Sequence, residues 1–309
     1  MRVTSNTYTN MIVNSSQTAQ QQLATLQQQI STGDSVQFAS DNPLAYEEAS
    51  QTQTSLGELN AYSNAAATAT TATASNNTAM TSLHSLVAQA SELATSVTTN
   101  MSASDLQNIG TEMSSLVTQI TSIVNQQSPD GTYLFGGTAN QPPLSSGGTY
   151  NSSTNGNETS IEVQPGDSVQ TGIVAGRPGT PPVDGFLYNS TTGVDVLGTI
   201  NQTIADLNSG NATAVQSTDL PALNNALDQV SQYVGSTAAS MSAVQTATSS
   251  IQQQTTSDDN QLNSLTQTNL PDASLQLQQI QTQYQASLEA GSRILGLSIL
   301  NYISSVPTT

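Results

Sequence analysis

The longest regular pattern of apolar positions in the sequence lies between Pro221 and Pro271. Thirteen positions from Leu223 to Leu265 follow one another in alternating steps of four and three residues, and nine of them are apolar. This spacing places all thirteen on one seam of an α-helix, as in coiled coils. At 1.5 Å per residue, it predicts a helix roughly 65 Å long. The predicted core residues of this helix are Leu223, Leu227, Val230, Val234, Met241, Val244 and Ile251.

Two further helices are predicted in the first half of the chain. One has a capping box at Ser104 and Gln107 and ends near Asn125. Its predicted core residues are Leu106, Ile109, Met113, Leu116 and Ile120. The other runs to about residue 99 from Pro43, which fits the first turn of a helix. Long helices with matching seams pack antiparallel in bundles, so these segments predict a helical rod.

Each end of the chain carries a shorter amphipathic stripe that is separated from the rod. The first stripe ends at a Ser-Thr-Gly-Asp turn at residues 31–34, and the second begins after Pro271. Two such helices bury their stripes only against each other or against another molecule. The sequence therefore predicts paired terminal helices that act in assembly. The predicted interface residues are Ile12, Leu23, Leu26, Ile30, Leu277, Ile280, Tyr284, Leu288, Leu295, Ile299 and Tyr302.

Residues 131–194 differ in character from the helical segments. Gly, Pro, Asn, Ser and Thr dominate there, and the apolar residues form short runs typical of strands joined by turns. The predicted strands lie at 132–135, 161–163, 168–170, 172–174 and 186–188, and a helix is predicted at 195–209.

The predicted fold is mainly α: a long antiparallel coiled-coil rod with paired terminal helices and a small β-rich central insert. The predicted domains are a terminal assembly domain (1–40 with 272–309), a rod (41–130 with 195–271) and a surface-exposed insert (131–194).

The charge balance excludes several classes of function. The chain has no Lys, only three Arg and a formal net charge of −18, so it lacks the basic stripe that nucleic acids require. Anionic membrane surfaces are disfavoured for the same reason, and no apolar run approaches the roughly 20 residues that span a bilayer. The sequence pI of about 4.1 would suit an acidic medium, and a lineage-wide bias in composition accounts for it equally well.

The residues that carry most enzyme chemistry are scarce. There is no Cys and a single His, His84, and a Walker-type phosphate loop is excluded because it needs Lys. The adjacent acidic pairs at 47–48 and 258–259 point apart on a helix and do not converge on a substrate. We therefore predict no catalytic, cofactor-binding or metal-binding residues. Asp258 lies on the predicted seam, where it sets register or weakens packing.

Motifs at both ends and at one internal turn resemble the flagellin superfamily. The matching segments are residues 1–5, 23–33, 39–45, 125–138 and 283–302. Within the superfamily they look most like hook-associated protein 3, which joins hook and filament. This chain departs from that pattern after the Ser-Thr-Gly of residues 31–33, where Asp34-Ser35-Val36 stands in place of basic residues.

The resemblance implies a structural role and no catalysis. Its expected partners are copies of itself, a neighbouring hook-associated protein, flagellin and a cytoplasmic export chaperone. The expected location is outside the cell, reached through flagellar type III export without cleavage of a signal peptide. Two alternatives stay open: flagellin itself, the main filament subunit, and, from another class, a secreted adhesin whose insert binds a ligand.

Overall fold

The computed structural model describes residues 5–128, 131–152 and 157–304, and the side chains of its last helix are described as far as Arg293. Most of these residues are helical, which confirms the predicted fold class. The α-helices are α1 (Ser5–Thr32), α2 (Pro43–Ser96), α3 (Ala103–Val124), α4 (Val196–Asn208), the single turn α5 (Ala212–Ala214), α6 (Leu220–Thr266) and α7 (Leu270–Ser304).

The ends of the helices follow local side-chain chemistry. Asn42 accepts a hydrogen bond from the backbone N–H of Ala45 in the first turn of α2. The predicted capping box at Ser104 and Gln107 is wrong, because Ser102 caps α3 and accepts from the N–H of Asp105. Asp105 suits that position since a carboxylate is favoured in the first turn of a helix. Part of the turn predicted after α3, residues 129 and 130, lies outside the described residues.

Threonine and serine are weak helix formers, yet α2 and α6 are rich in both. Many of their hydroxyls donate to the carbonyl oxygen four residues earlier in the same helix. Examples are Thr73 to Ala69 and Thr248 to Val244, both at 2.8 Å. Such bonds satisfy the hydroxyl locally and add little to helix stability. Packing of the apolar face therefore supplies most of the stability of these long helices.

The insert contains two small antiparallel sheets. Strands β1 (Ser160–Gln164) and β2 (Asp167–Gln170) form a hairpin, and β3 (Tyr188–Asn189) pairs with β4 (Val194–Asp195). The strands predicted at 161–163 and 168–170 are confirmed. Those predicted at 132–135 and 172–174 are wrong, since only isolated bridges form there. These two segments meet at a single bridge between Gly136 and Val174, and their apolar side chains Phe135 and Ile173 are buried in a core shared with helices. Of the strand predicted at 186–188, only Tyr188 lies in a strand, β3.

The chain divides into two compact units, which we call the terminal unit (residues 1–57 and 255–309) and the central unit (residues 58–254). The domain boundaries predicted from the sequence at 40/41, 130/131, 194/195 and 271/272 stay predictions.

The central unit has an extensive apolar core to which helices and insert both contribute. Buried side chains of α2, α3, α4 and α6 meet Phe135, Leu144 and Phe186 of the insert. The rings of Phe135 and Phe186 pack edge to face with their centroids 4.9 Å apart. Burying each large apolar side chain contributes about 1.5–3 kcal/mol. One side of the insert is thus part of the same core as the helices.

A second, smaller core lies beneath the β1–β2 hairpin. Val163 and Val169 pack there on Ala66 and Ala69 of α2 and on one face of α6. The small side chains of Ala66 and Ala69 let the hairpin approach α2 closely. Nearby, the amide of Asn76 donates to the carbonyl oxygen of Thr171 at 2.6 Å. The hairpin is therefore held by both apolar and polar contacts.

The predicted core residues of α3 and α6 are buried or half-buried, with one exception. Met241 is 40% exposed, so its assignment to the core is wrong. Ser240 occupies the facing position in place of Met241. Thr237, Val244 and Ile251 are buried at intervals of seven residues, and Ser240 is the half-buried residue between the first two. An α-helix has 3.6 residues per turn, so a seam with a 3.5-residue period shifts between neighbouring positions.

A buried carboxyl group lies where the last turn before α6 widens into a π-helix (Val215–Asp219). Asp219 is 3% exposed, and its Oδ2 atom has no hydrogen-bond partner among the described residues. Burial, with the neighbouring Asp206 adding repulsion and a hydrogen bond, raises the pKa of Asp219 to about 6. A protonated Asp219 can donate to the Asp206 carboxylate, so the folded state favours the neutral form of Asp219.

We expect Asp219 to make the central unit more stable in mild acid. The pKa of Asp219 is higher in the folded state than in the unfolded chain. Its contribution to the free energy of unfolding is therefore complete below about pH 4 and is lost as pH rises through 6. Because of this group, the free energy of unfolding measured in urea should be about 1 kcal/mol higher at pH 5 than at pH 7.5. Asp219→Asn should remove that difference, whereas Asp228→Asn, at an exposed position of α6, should keep it. An unchanged pH response in Asp219→Asn would contradict this account.

Phe186→Ala should lower the free energy of unfolding by about 3–5 kcal/mol, because it leaves a cavity in the main core. Phe38→Ala is the matched control, since Phe38 is 60% exposed, and it should change the free energy by less than about 0.5 kcal/mol. Chemical denaturation followed by circular dichroism measures both. Equal effects of the two substitutions would show that Phe186 does not hold the core together.

Candidate assembly interface

Within the terminal unit, α1 packs against α7, which confirms the predicted pairing of the terminal helices. The two helices run antiparallel. At one end, the N–H of Thr268 donates to the carbonyl oxygen of Gly33 at 2.7 Å. At the other end, Gly291 lies against Ile12, and a Cβ atom placed on Gly291 would be 3.2 Å from the Ile12 Cγ2 atom. We call α1 and α7 together the terminal helix pair.

The facing sides of the terminal helix pair follow a regular alternation of four and three residues. Apart from Gln29, the described buried and half-buried positions are Ile12, Ser16, Ala19, Leu23, Leu26 and Ile30 on α1, and Ala273, Leu277, Ile280, Tyr284, Ser287 and Gly291 on α7. Several of these side chains are small. The described apolar residues of the terminal unit that are fully buried are Ala19, Leu26, Ala49 and Ala273. The pair therefore buries little apolar area within one chain.

Most of the predicted interface residues lie on these facing sides. Ile12, Leu23, Ile30, Leu277, Ile280 and Tyr284 are half-buried, and Leu26 is buried. Leu288 is instead 50% exposed, because Ser287 occupies the facing position. The side chains of Leu295, Ile299 and Tyr302 lie outside the described residues. Whether these positions contact other subunits stays a prediction.

Short connections hold α1 to the chain segment that precedes α7. Gly33 adopts a left-handed φ of +83°, which ends α1 and turns the chain. Ser35 then donates from its N–H and its hydroxyl to the carbonyl oxygen of Thr266, at 2.6 Å and 3.0 Å. The side-chain amide of Gln29 donates to the carbonyl oxygen of Ser35 at 3.1 Å. These bonds bring the C-terminal end of α1 close to the start of α7.

A buried carboxylate links α2 and α6 in the same unit. Asp258 is 6% exposed, and its Oδ2 atom accepts a hydrogen bond from the hydroxyl of Ser55 at 2.7 Å. A hydrogen-bonded polar residue on an apolar seam penalises other alignments of two helices, because a shifted register leaves it buried without a partner. This contact accords with the expectation that Asp258 sets register.

The exposed large apolar side chains are concentrated in the terminal unit. Among the described residues, all but one of the large hydrophobic side chains with high exposure lie there, and the exception is Met241. They are Met11, Val13, Phe38, Leu44, Tyr46, Leu270, Leu275 and Leu288, with exposures from 42% to 67%. Exposed apolar residues mark an interaction surface where they form a contiguous patch. Sequence reasoning predicted only Leu288 of these, because the others lie off the regular stripes.

Across residues 5–128, 131–152 and 157–304, no three His, Cys, Asp or Glu side chains are grouped as metal ligands. His84 is half-buried on α2. The raised pKa of Tyr150 follows from its burial, with the carboxylate of Asp195 beside it. Tyr150 donates its hydroxyl to Asp195 at 2.7 Å, and Asp195 caps α4, so this pair is structural. The described helices also include none that is long and apolar enough to span a bilayer.

Comparison with known proteins gives a partial match to one family model and a shared fold. Residues 3–140 match the family model of the bacterial flagellin N-terminal helical region. No curated protein sequence matches the chain.

Several solved structures of similar fold align with this chain over nearly the whole of their own length. FlgL from Bacillus cereus is 17% identical, with 69% of this chain and 99% of that chain aligned and a TM-score of 0.55. FlgL from Xanthomonas campestris is 16% identical, with 69% and 99% aligned and a TM-score of 0.56. The flagellar junction protein FlgL from Legionella pneumophila is 13% identical, with 71% and 100% aligned and a TM-score of 0.56. Residues 3–140 are thus similar to the flagellin N-terminal helical region, and the chain shares its fold with solved hook-associated flagellar proteins.

Proposed function

We propose that this protein is a structural subunit of the bacterial flagellum, an adaptor at the junction between hook and filament that assembles through its terminal helices. The observation that carries the proposal is the uneven distribution of apolar side chains. The central unit buries its large apolar residues in two cores, whereas the terminal unit leaves many of its own exposed. In a flagellin-type fold, neighbouring subunits would cover that surface.

Energetics support assembly through the terminal helix pair. Ordering one residue costs about 1–2 kcal/mol of backbone entropy, and burying one Leu returns about 1.5–3 kcal/mol. The pair orders more than fifty residues around a seam in which Leu26 is the only large apolar side chain fully buried among those described. Contacts with neighbouring subunits would therefore supply much of its stability.

The proposed partners are other copies of this chain, a neighbouring hook-associated protein and flagellin. A cytoplasmic chaperone would hold the chain before export through the flagellar type III channel. The proposed location is the extracellular part of the flagellum. The fold neighbours support these assignments, because one of them is a flagellar junction protein by name.

Flagellin itself is the main alternative, since it shares the N-terminal helical region. The junction role is favoured because solved hook-associated proteins align with this chain over 97–100% of their own length. A secreted adhesin is less well supported, because the apolar residues of the insert lie in the core and the described residues contain no grouped metal ligands.

A strain that lacks this gene should retain its hooks, lose its filaments and release full-length flagellin into the medium. Electron microscopy of the cells and immunoblots of the medium measure the two effects. Loss of the filament protein itself, with the other exported subunits unchanged, would identify this chain as flagellin. Normal filaments would overturn the proposed role.

Leu26→Asp should abolish complementation of that strain while the central unit remains folded. A carboxylate in the seam of the terminal helix pair is costly to bury and separates α1 from α7. Met241→Asp is the matched control, because Met241 is exposed in the central unit, and it should complement normally. Leu295→Asp should behave like Leu26→Asp. Monomer helicity, measured by circular dichroism, should fall by less than half in these variants. A larger fall would contradict the separation of assembly from the core fold.

A further inference from the structure

The terminal helix pair is almost free of charged residues in a strongly acidic protein. No Asp, Glu, Lys, Arg or His occurs from Ser5 to Thr32 or from Ala273 to Leu288. Asp272 lies at the start of α7, and Glu289 pairs with Arg293 at 2.9 Å beyond this stretch. Of the 21 carboxylates, thirteen lie in the central unit, and six lie in segments 34–48 and 258–259 of the terminal unit, outside the helix pair. Contacts made by the terminal helix pair therefore involve little charge.

Glutamine takes the place of charged residues on the outside of this pair. Eleven exposed Gln side chains make no side-chain hydrogen bond within the described part of the chain. We call them the glutamine surface; they are Gln17, Gln20, Gln21, Gln22, Gln27, Gln276, Gln278, Gln279, Gln281, Gln283 and Gln285. Gln28 and Gln29 are not included, because they bond to Gln37 and Ser35. The surface thus has many free amide donors and acceptors.

Exposed apolar side chains are interspersed with these amides. Met11 and Val13 lie on α1, and Leu275 and Leu288 lie on α7. Leu275 also lines a shallow groove together with Gln278, Gln279 and Thr282. Apolar contact of this kind favours association, and the surrounding amides can be satisfied only by partners that offer both donors and acceptors.

The chemistry of the glutamine surface points to a second copy of the same surface as its partner. A primary amide carries two N–H donors and one carbonyl acceptor, so one amide complements another. An acidic or basic partner would be buried against groups that cannot neutralise its charge, which is costly. Two chains that each carry a net charge of −18 also repel least where neither presents charge.

We propose that copies of this chain contact one another through the glutamine surface, by amide–amide hydrogen bonds and apolar contacts without ion pairs. This inference rests on the proposed assembly through the terminal helices and specifies its chemistry. Because the interface has no complementary charges, adding charge of either sign weakens it.

Two double variants that add charges of opposite sign test this proposal directly. In the full-length chain, Gln278 and Gln279 are replaced together, by Glu in one variant and by Lys in another. Sedimentation velocity over a range of concentrations measures self-association. Both variants should raise the concentration of half-association at least fivefold. The matched controls carry the same replacements at Gln107 and Gln119, which are exposed on α3 of the central unit, and should stay within twofold of the unmodified chain.

The outcomes separate this inference from the proposed function. If one sign strengthens association while the other weakens it, the partner surface is charged and the inference is wrong, although assembly stands. If neither variant changes association, these residues lie outside the contact and the inference is again wrong. If the unmodified chain does not self-associate at any concentration, both the inference and the proposed self-contact fail.

Discussion

The contact between α1 and α7 brings together the two ends of the chain, and the small side chains along it limit its strength. Ser16, Ala19, Ser287 and Gly291 let the helices approach closely but bury little apolar area. A helix pair with such a seam gains only modest stability from its own packing. Four of its large apolar side chains, Met11, Val13, Leu275 and Leu288, are exposed outside this seam. In the proposed assembly, neighbouring subunits would add the apolar contacts that the terminal unit lacks by itself.

The central unit has the opposite design. Its helices enclose Phe135, Phe186 and Leu144 of the insert. Hydrogen bonds from polar side chains hold the insert at two edges of this core. The Asn125 side chain both donates to and accepts from the backbone of Leu144, which ties the insert to the end of α3. Gln229 donates to the carbonyl oxygens of Gly185 and Phe186 on the other side. Apolar packing and hydrogen bonds from polar side chains therefore hold the insert to the helices of this unit.

The helices were predictable from the sequence because a period of 3.5 residues sustained over many turns fits a packed helix and hardly any other structure. The strands were less predictable, since short apolar runs such as 132–135 can equally be packed loops. Finer positions also failed for physical reasons. A one-residue shift of the helical seam exposes Met241 and Leu288, and Asp105 makes Ser102 a better cap than Ser104.

The exposed apolar residues of the terminal unit were largely missed by sequence reasoning. Phe38, Leu44 and Tyr46 flank the start of α2 without any regular spacing, so no periodic signal marks them. Only the folded chain shows that they remain uncovered. The facing seam itself was visible from the sequence because it obeys the period of a helix.

The threonines of the long helices affect the hydration of the protein surface. Where a hydroxyl such as that of Thr68 or Thr78 bonds to its own helix backbone, the methyl group of the same side chain is left facing the solvent. A surface whose residues are polar by type is then partly a layer of methyl groups, which hydrate weakly. Colloidal stability would depend on the carboxylates of both units, and the protein would be most prone to precipitate near its sequence pI of about 4.1.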